Sequence, residues 1–318
     1  MNSRLLIAIQ IVVAIYMFTC VTTLAQTDGE ILERNSYVFP SYEQATRTTD
    51  VEREADRAAY ETAVNDERFE FQKLTYLSDG LKVVGYLYRP KKADDRKLPT
   101  IIFNRPSAVR GDIAPELIPL FHQFALEGFI VFAPMLRQSD GGEGHDELGG
   151  ADVDDLVNVL PLLKTLKVVD LDNLFMYGQS RGGMMTYQAI KKGFPLRAAS
   201  VVGAFTDLQE IIDSHPRQYP VQMLSKIWPN YEARKSEITK IRSAIYWPEQ
   251  LNVPLLILHG GSDQSVSPDH SLRLAKQLQR LGRTYELTVY AGDNHTLSVN
   301  RVERDRRTVE WFKRYLKK

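Results

Sequence analysis

Ser180, Asp263 and His295 are the side chains of this 318-residue sequence whose types and order could carry nucleophilic acyl transfer. A serine hydroxyl is a weak nucleophile until a histidine takes its proton, and the histidine needs a carboxylate to fix its tautomer. Ser180 lies in Gly178-Gln179-Ser180-Arg181-Gly182-Gly183, which fits Gly-x-Ser-x-Gly. The small residues have a mechanical purpose. A turn that holds the serine in strained geometry and packs a strand close to a helix needs glycine around it. Upstream, residues 173–177 read as a short buried strand; downstream, 183–192 read as a helix. Ser180 would then project at a helix N-terminus, where backbone N–H groups can hold an oxyanion. The backbone N–H of Arg181 is the expected first donor.

Strand, sharp turn and helix form the nucleophile elbow of an α/β-hydrolase, and in that fold the triad runs serine, acid, histidine along the chain. After Ser180 come His215, His259, His270 and His295. Residues 253–259 form an apolar run followed by the polar Gly260-Gly261-Ser262-Asp263, so Asp263 sits just past the carboxyl end of a strand. Residues 285–290 alternate as a strand and lead into Ala291-Gly292-Asp293-Asn294-His295. Each candidate follows a separate strand, far apart in sequence and close in space. Asp269 and Asp293 are the rival acids; the first reads as a helix cap and the second stands too near His295 along the chain. His259 reads as a packed, hydrogen-bonded residue, His270 as a solvated cap, and His215 as part of a lid. His122 and His145 precede Ser180.

Three stretches together resemble the catalytic domain of the prolyl oligopeptidase family of serine peptidases: GQSRGGMMTYQAI at 178–190, PLLILHGGSDQSVSP at 254–268 and AGDNHTL at 291–297. The segment from Ser139 to Asp155 is similar to the family's approach to the elbow, and the likeness runs from about Phe69 to the C-terminus. It implies Ser180 as nucleophile, Asp263 as orienting acid and His295 as general base. There are two departures. Larger members carry a β-propeller ahead of this domain, for which 318 residues leave no room. The loop that supplies the second oxyanion donor reads Phe103-Asn104-Arg105-Pro106-Ser107-Ala108, and Pro106 has no N–H. The backbone N–H of Arg105, or its side chain, is the expected donor; a structural ion pair is the other reading of that side chain.

The surrounding elements fit this site. Strands are expected at 69–77, 81–88, 98–103, 129–135 and 198–204, with helices at 113–127 and 151–166. Strands alternating with helices imply an α/β fold, with a mostly parallel sheet covered by helices on both faces. Asp152, Asp154 and Asp155 open the 151–166 helix, where its dipole favours carboxylates. Residues 207–250 break the alternation and read as a small helical cap over Ser180. Its Trp228, Tyr231, Tyr246 and Trp247 either line a substrate pocket or pack the cap onto the domain. The side chain of Arg181 reads either as a substrate anchor or as a surface ion pair.

Composition sets the remaining bounds. The hydrophobic fraction of 43% suits a sizeable core, and 40 basic against 40 acidic residues give no case for nucleic acid or an anionic membrane surface. No metal-ligand spacing and no dinucleotide or phosphate loop is present in the sequence, so no cofactor is expected. Arg4, the apolar run 5–18 and Thr23-Leu24-Ala25 read as a signal peptide over 1–25, with a membrane anchor as the alternative. Cleavage there would remove Cys20, leaving an exported chain, periplasmic or secreted and without disulfides or stable membrane insertion. Residues 26–68 are expected to form a helical extension and 69–318 the hydrolase domain. The expected function is cleavage of short peptides by an exported serine hydrolase. A carboxylesterase or deacetylase acting on small acyl esters is the enzymatic alternative, and a catalytically silent binding module is the non-enzymatic one.

Overall fold

The computed structural model describes residues 27–45, 54–92, 96–107, 113 and 115–318. The expected leader at 1–25 with Cys20, and Ala108 of the loop after Phe103, lie outside the described residues. The chain opens with Ile31–Ser36 (β1), Tyr42–Ala45 (α1), Glu54–Asn65 (α2), Phe69–Ser78 (β2), Leu81–Pro90 (β3) and Leu98–Asn104 (β4). Ile118–Leu126 (α3), Ile130–Pro134 (β5), Asp154–Val157 (α4), Val159–Thr165 (α5), Val169–Gln179 (β6), Arg181–Lys191 (α6) and Ala198–Val202 (β7) follow. Then come Leu208–Ser214 (α7), Val221–Ile227 (α8), Tyr231–Ile241 (α9), Leu255–Gly260 (β8), Asp269–Arg280 (α10), Tyr285–Tyr290 (β9) and Arg301–Arg314 (α11).

Among the described residues the strands form one sheet in the order β1-β2-β3-β5-β4-β6-β7-β8-β9. The pairings from β5 through β4 to β9 are parallel, and those among β1, β2, β3 and β5 are antiparallel. The central strands are apolar along their whole length because helices cover both faces; β5, β7 and β8 are buried at every residue. Helices α2, α3 and α11 cover one face, through Tyr60, Phe121, Phe124, Val309 and Phe312. Helices α4, α5, α6 and α10 cover the other, through Leu156, Leu162, Met184, Ile190 and Leu274. The stripe logic is plain in α10, where His270, Ser271, Leu274, Ala275 and Leu278 are the buried positions. That spacing keeps one side of a 3.6-residue helix against the sheet. This is the α/β-hydrolase architecture the sequence implies.

Two local expectations need correction. Residues 26–68 contribute a strand as well as helices: β1 pairs antiparallel with the edge of β2. Its side chains are mostly exposed, so backbone hydrogen bonds hold it and the side chains carry little period to read. The helix expected at 151–166 is broken into a 3₁₀ turn at Ala151–Val153, then α4 and α5. Pro161 explains the break, since it has no N–H for the Val157 carbonyl and its ring crowds that carbonyl. Between β7 and β8, residues 207–250 carry α7, α8 and α9 and no strand. Asp207 starts this segment as the N-cap of α7, accepting from the Gln209 and Glu210 N–H groups.

Candidate active site

Ser180 is the first residue past β6 and the N-cap of α6, and it adopts φ 53° and ψ −119°. A non-glycine residue there is strained and persists only where its surroundings over-determine it. The Ser180 N–H donates to Val202 O at 2.8 Å, and the Gly183 N–H donates to Ser180 O at 2.9 Å, so β7 and α6 grip the turn from both sides. Gly182 is needed for close approach: a Cβ there would stand 1.9 Å from the Asn104 carbonyl oxygen of β4. The arrangement aims the first N–H groups of α6 at the space beside the serine.

Asp263 follows β8 and His295 follows β9, at the same sheet edge as Ser180. His295 Nδ1 lies 2.7 Å from Asp263 Oδ2. The other carboxylate oxygen accepts the Ser265 and Val266 N–H groups at 2.8 and 2.9 Å. Burial would raise the Asp263 carboxyl, but hydrogen bonds from His259, His295 and the Val266 N–H outweigh it and hold it well below the ordinary carboxylate range. Asp263 is therefore an anion, and the His295 ring is oriented with Nδ1–H toward it and Nε2 away from it. Gly203 makes room for that ring: it sits at φ +54°, and a Cβ there would meet His295 O at 2.8 Å and Nδ1 at 3.0 Å.

Ser180 and His295 open into one cavity of about 410 Å³, walled also by Ser107, Leu148, Arg181, Phe205, Ser265 and Val266. The cap segment adds Leu208, Ile211, His215, Gln218, Tyr219 and Met223. The four aromatics singled out in the sequence are not on this wall. Trp228, Tyr231 and Trp247 are buried in the core. Trp228 Nε1 donates to Glu147 O and stacks beneath Arg242, and Trp247 Nε1 donates to Lys240 O. Tyr246 is half exposed and donates to Asp207 Oδ2. These rings pack the cap onto the domain; the pocket expectation for them is corrected, and the cap's share of the lining falls to other residues of α7, α8 and their connection, Tyr219 among them.

Arg181 is buried beside Ser180. Its guanidinium makes a bidentate pair with Asp146 at 2.6 Å on both bonds, and Nη2 reaches Asp152 Oδ2 at 2.9 Å. It is a buried ion cluster, and neither of the readings from sequence described it. The Arg105 side chain is likewise committed: it donates to the carbonyls of Met135, Pro106 and Ser107 and to Ser139 Oγ. It shapes the loop after β4 and is taken up by loop oxygens, which corrects the side-chain form of the oxyanion expectation. The three acids of the 151–166 region diverge: Asp152 to Arg181, Asp154 to Lys192 and Asp155 to Arg137.

The rival residues also find places. Asp293 accepts from Asn294, Val299 and Asn300 N–H groups and from the Asn300 amide, closing the histidine loop. Asp269 pairs with Arg273. His122 pairs with Asp66, and His145 is exposed. His270 is buried against Thr206, which corrects its reading as a solvated cap. His259 is packed and hydrogen-bonded as expected, but one of its contacts is Asp263 itself, 3.2 Å from Nε2.

Comparison with known proteins gives this arrangement its family. Residues 120–318 match the model of the prolyl oligopeptidase family. The chain is 31% identical over 245 residues to the uncharacterized peptidase YtmA of Bacillus subtilis, covering 76% of this chain and 92% of that one. It resembles the acylaminoacyl peptidase of Pyrococcus horikoshii with a TM-score of 0.63 at 20% identity, over 80% of this chain and 43% of the other. A putative dipeptidyl aminopeptidase IV from Bacteroides ovatus gives a TM-score of 0.67 at 21% identity, over 79% of this chain and 37% of the other. The chain thus spans nearly all of YtmA but about two fifths of the two solved structures. Fold and sequence agree that this chain is an enzyme, a serine hydrolase that belongs to the prolyl oligopeptidase family of serine peptidases.

Proposed function

We propose that this chain is an exported peptidase of short peptides, with Ser180 as nucleophile, His295 as general base and Asp263 as the acid that orients it. The observation that carries the reading is the Asp263–His295 hydrogen bond at the wall of the cavity into which Ser180 opens. With Nδ1–H held by Asp263, Nε2 is the nitrogen left to take the Ser180 proton as the hydroxyl attacks a carbonyl. The Arg181 N–H at the head of α6 stabilises the oxyanion, and the backbone N–H of Arg105 is the proposed second donor. His295 then protonates the leaving group, and water releases the acyl-enzyme.

The cavity favours a small uncharged group. Its volume is in the range of small-ligand sites, and Leu148, Phe205, Leu208, Ile211, Met223 and Val266 give it apolar walls. The Arg181 charge is already met by Asp146 and Asp152, so it is poorly suited to anchoring a substrate carboxylate. Peptidases named acylaminoacyl and dipeptidyl among the similar structures agree with short substrates. The same apolar walls suit a small acyl ester, which is the second reading. Export rests on the leader pattern of residues 1–25.

Labelling with a fluorophosphonate, then hydrolysis of matched aryl-ester and aminoacyl-arylamide substrates, tests the assignment. Labelling at Ser180 with faster arylamide than ester turnover relative to solution rates supports the peptidase. Ester turnover alone makes the second reading the better one, and no labelling overturns Ser180 as the nucleophile.

A further inference from the structure

Asp263 Oδ2 lies between two imidazoles, His295 Nδ1 at 2.7 Å and His259 Nε2 at 3.2 Å. His259 is fully buried near the end of β8. Its Nε2 also lies 2.9 Å from Val266 O, and its Nδ1 lies 2.7 Å from Ser271 Oγ, equally buried in the first turn of α10. A carbonyl oxygen only accepts, so Nε2 carries a proton. In the uncharged ring the Nδ1 lone pair then accepts the Ser271 hydroxyl. The Val266 carbonyl and Asp263 thus set the tautomer, and Ser271 anchors the opposite side of the ring so that the N–H stays turned toward Asp263.

We infer that His259 and Ser271 are positioning residues for the reaction: Ser271 holds the His259 ring in place through Nδ1, and His259 fixes the Asp263 carboxylate and draws off part of its charge. The inference rests on the reading of Ser180, His295 and Asp263 as the reacting set. Asp263 Oδ1 is occupied by the Ser265 and Val266 N–H groups, so the His259 bond to Oδ2 completes a single orientation of the carboxylate. Each donor to a carboxylate also lowers its basicity, and so limits how strongly Asp263 favours a protonated His295. The hydrogen bond from His259 contributes to the depression of the Asp263 carboxyl together with that from His295.

Other ionisable groups nearby are accounted for. His270 on α10 is the titratable neighbour of His259, with Glu210, Arg273 and Asp207 around it. Asp293, in the histidine loop, is occupied by Asn294, Val299 and Asn300. None of these changes in the variants below.

The test is the pH profile of kcat/KM for the full chain on an uncharged aryl ester, in wild type, Ser271→Ala, His259→Leu and His259→Gln. In Ser271→Ala and His259→Leu, kcat should fall while KM stays within about twofold, because positioning of the base acts on the transition state. The acid limb should move up by about half a pH unit, less than the roughly 1–2 units that a hydrogen bond made directly to the titrating group is worth, because the lost bond acts on His295 only through Asp263. The sign follows from a less-shared carboxylate, which favours imidazolium. His259→Gln, whose amide offers Asp263 an N–H and Ser271 an oxygen, should return the limb toward wild type. Ser271→Ala removes only a hydroxyl, so it carries the test if His259→Leu does not fold. An acid limb that stays in place or moves down in Ser271→Ala overturns the inference, whatever happens to kcat. Failure of the underlying reading is separate: Ser180→Ala would then keep its turnover.

Discussion

Arg105 and Arg181 donate to the same oxygen, the carbonyl of Ser107, at 3.1 and 3.2 Å. One guanidinium comes from the loop after β4 and the other from the head of α6, so the two segments proposed to surround the oxyanion are tied at one atom. Arg181 extends the tie to Asp146 and Asp152. Arg105 extends it to Met135 and Ser139. Ser107 itself holds φ at +66°, a conformation that costs a non-glycine residue energy and needs such restraint. Preorganised N–H donors accelerate acyl transfer because they do not reorganise when charge develops.

Removing the clamp should therefore cost stability and rate together. Arg181→Ala leaves two buried carboxylates without their cation, a loss of about 3–5 kcal/mol. Arg181→Lys keeps a charge but cannot make the bidentate pair, so it should fold better than the alanine variant and still lose kcat. Urea unfolding beside steady-state kinetics checks both. A lysine variant with wild-type kcat would show that the fork geometry does not matter to the oxyanion N–H.

Ser180→Ala should lower turnover by a factor on the order of 10⁶ and abolish fluorophosphonate labelling with the fold intact. The strained elbow should stay as it is, because the substitution removes only the hydroxyl and leaves the backbone bonds to β7 and α6 in place. Unchanged circular dichroism with no label is the expected pair of results. Labelling at another serine would place the nucleophile elsewhere.

What the sequence made legible divides along physical lines. The elbow, acid loop and histidine loop are local: their glycines and polar runs sit at fixed offsets from apolar strands, and Ser180, Asp263 and His295 converge at one sheet edge. The cap aromatics were ambiguous because a ring buries apolar area equally well against protein or substrate. Trp228 and Trp247 chose protein, through Glu147, Arg242 and Lys240. The Arg181 cluster joins residues 146, 152 and 181, whose proximity depends on how the Gly141–Gly150 region folds back. β1 left little trace because exposed side chains on a paired edge carry no strong period. His259 could have been noticed from its place four residues before Asp263, but nothing local says which way its ring turns.

Asp263 and Asp293 should separate cleanly by substitution. Asp263→Asn should lower turnover by roughly 10⁴ through the wrong imidazole tautomer. Asp293→Asn should keep turnover per folded molecule and lose about 1–3 kcal/mol, because its Nδ2 would face the loop N–H donors. Active-site titration alongside thermal melts distinguishes them. A crippled but stable Asp293→Asn would reverse the assignment.

Acid stability follows from the same carboxylates. For Asp263 and Asp293 burial acts to raise the carboxyl, yet hydrogen bonds from His259 and His295, and from Asn300 and its neighbours, hold both below the ordinary range. A group whose folded pKa lies below its unfolded value stabilises the fold above the unfolded value, and that contribution is lost as pH falls through the folded one. Stability should thus decline below about pH 4, where unfolded aspartates begin to bind protons. Asp293→Asn should flatten that decline, measured as the urea midpoint against pH. An equal slope in wild type and variant would show that Asp293 does not contribute to it.

The cap supplies the last contrast. Tyr219 and Met223 line the cavity, whereas Trp228 sits in the core. A wall residue acts through differential binding of the larger group. Tyr219→Ala or Met223→Ala should therefore change the ratio of long to short acyl substrates by about tenfold, while turnover of a minimal acetyl ester stays near wild type. Trp228→Ala removes a buried ring and its hydrogen bond to Glu147. It should cost about 3–5 kcal/mol and reduce the folded fraction, and with it activity, evenly across substrates. Acyl chain-length series on all three variants, normalised to labelled active sites, give the answer. Selectivity that moves in Trp228→Ala and stays fixed in the wall variants would mean that the cap rearranges when substrate enters, and that the aromatic residues reach the bound group after all.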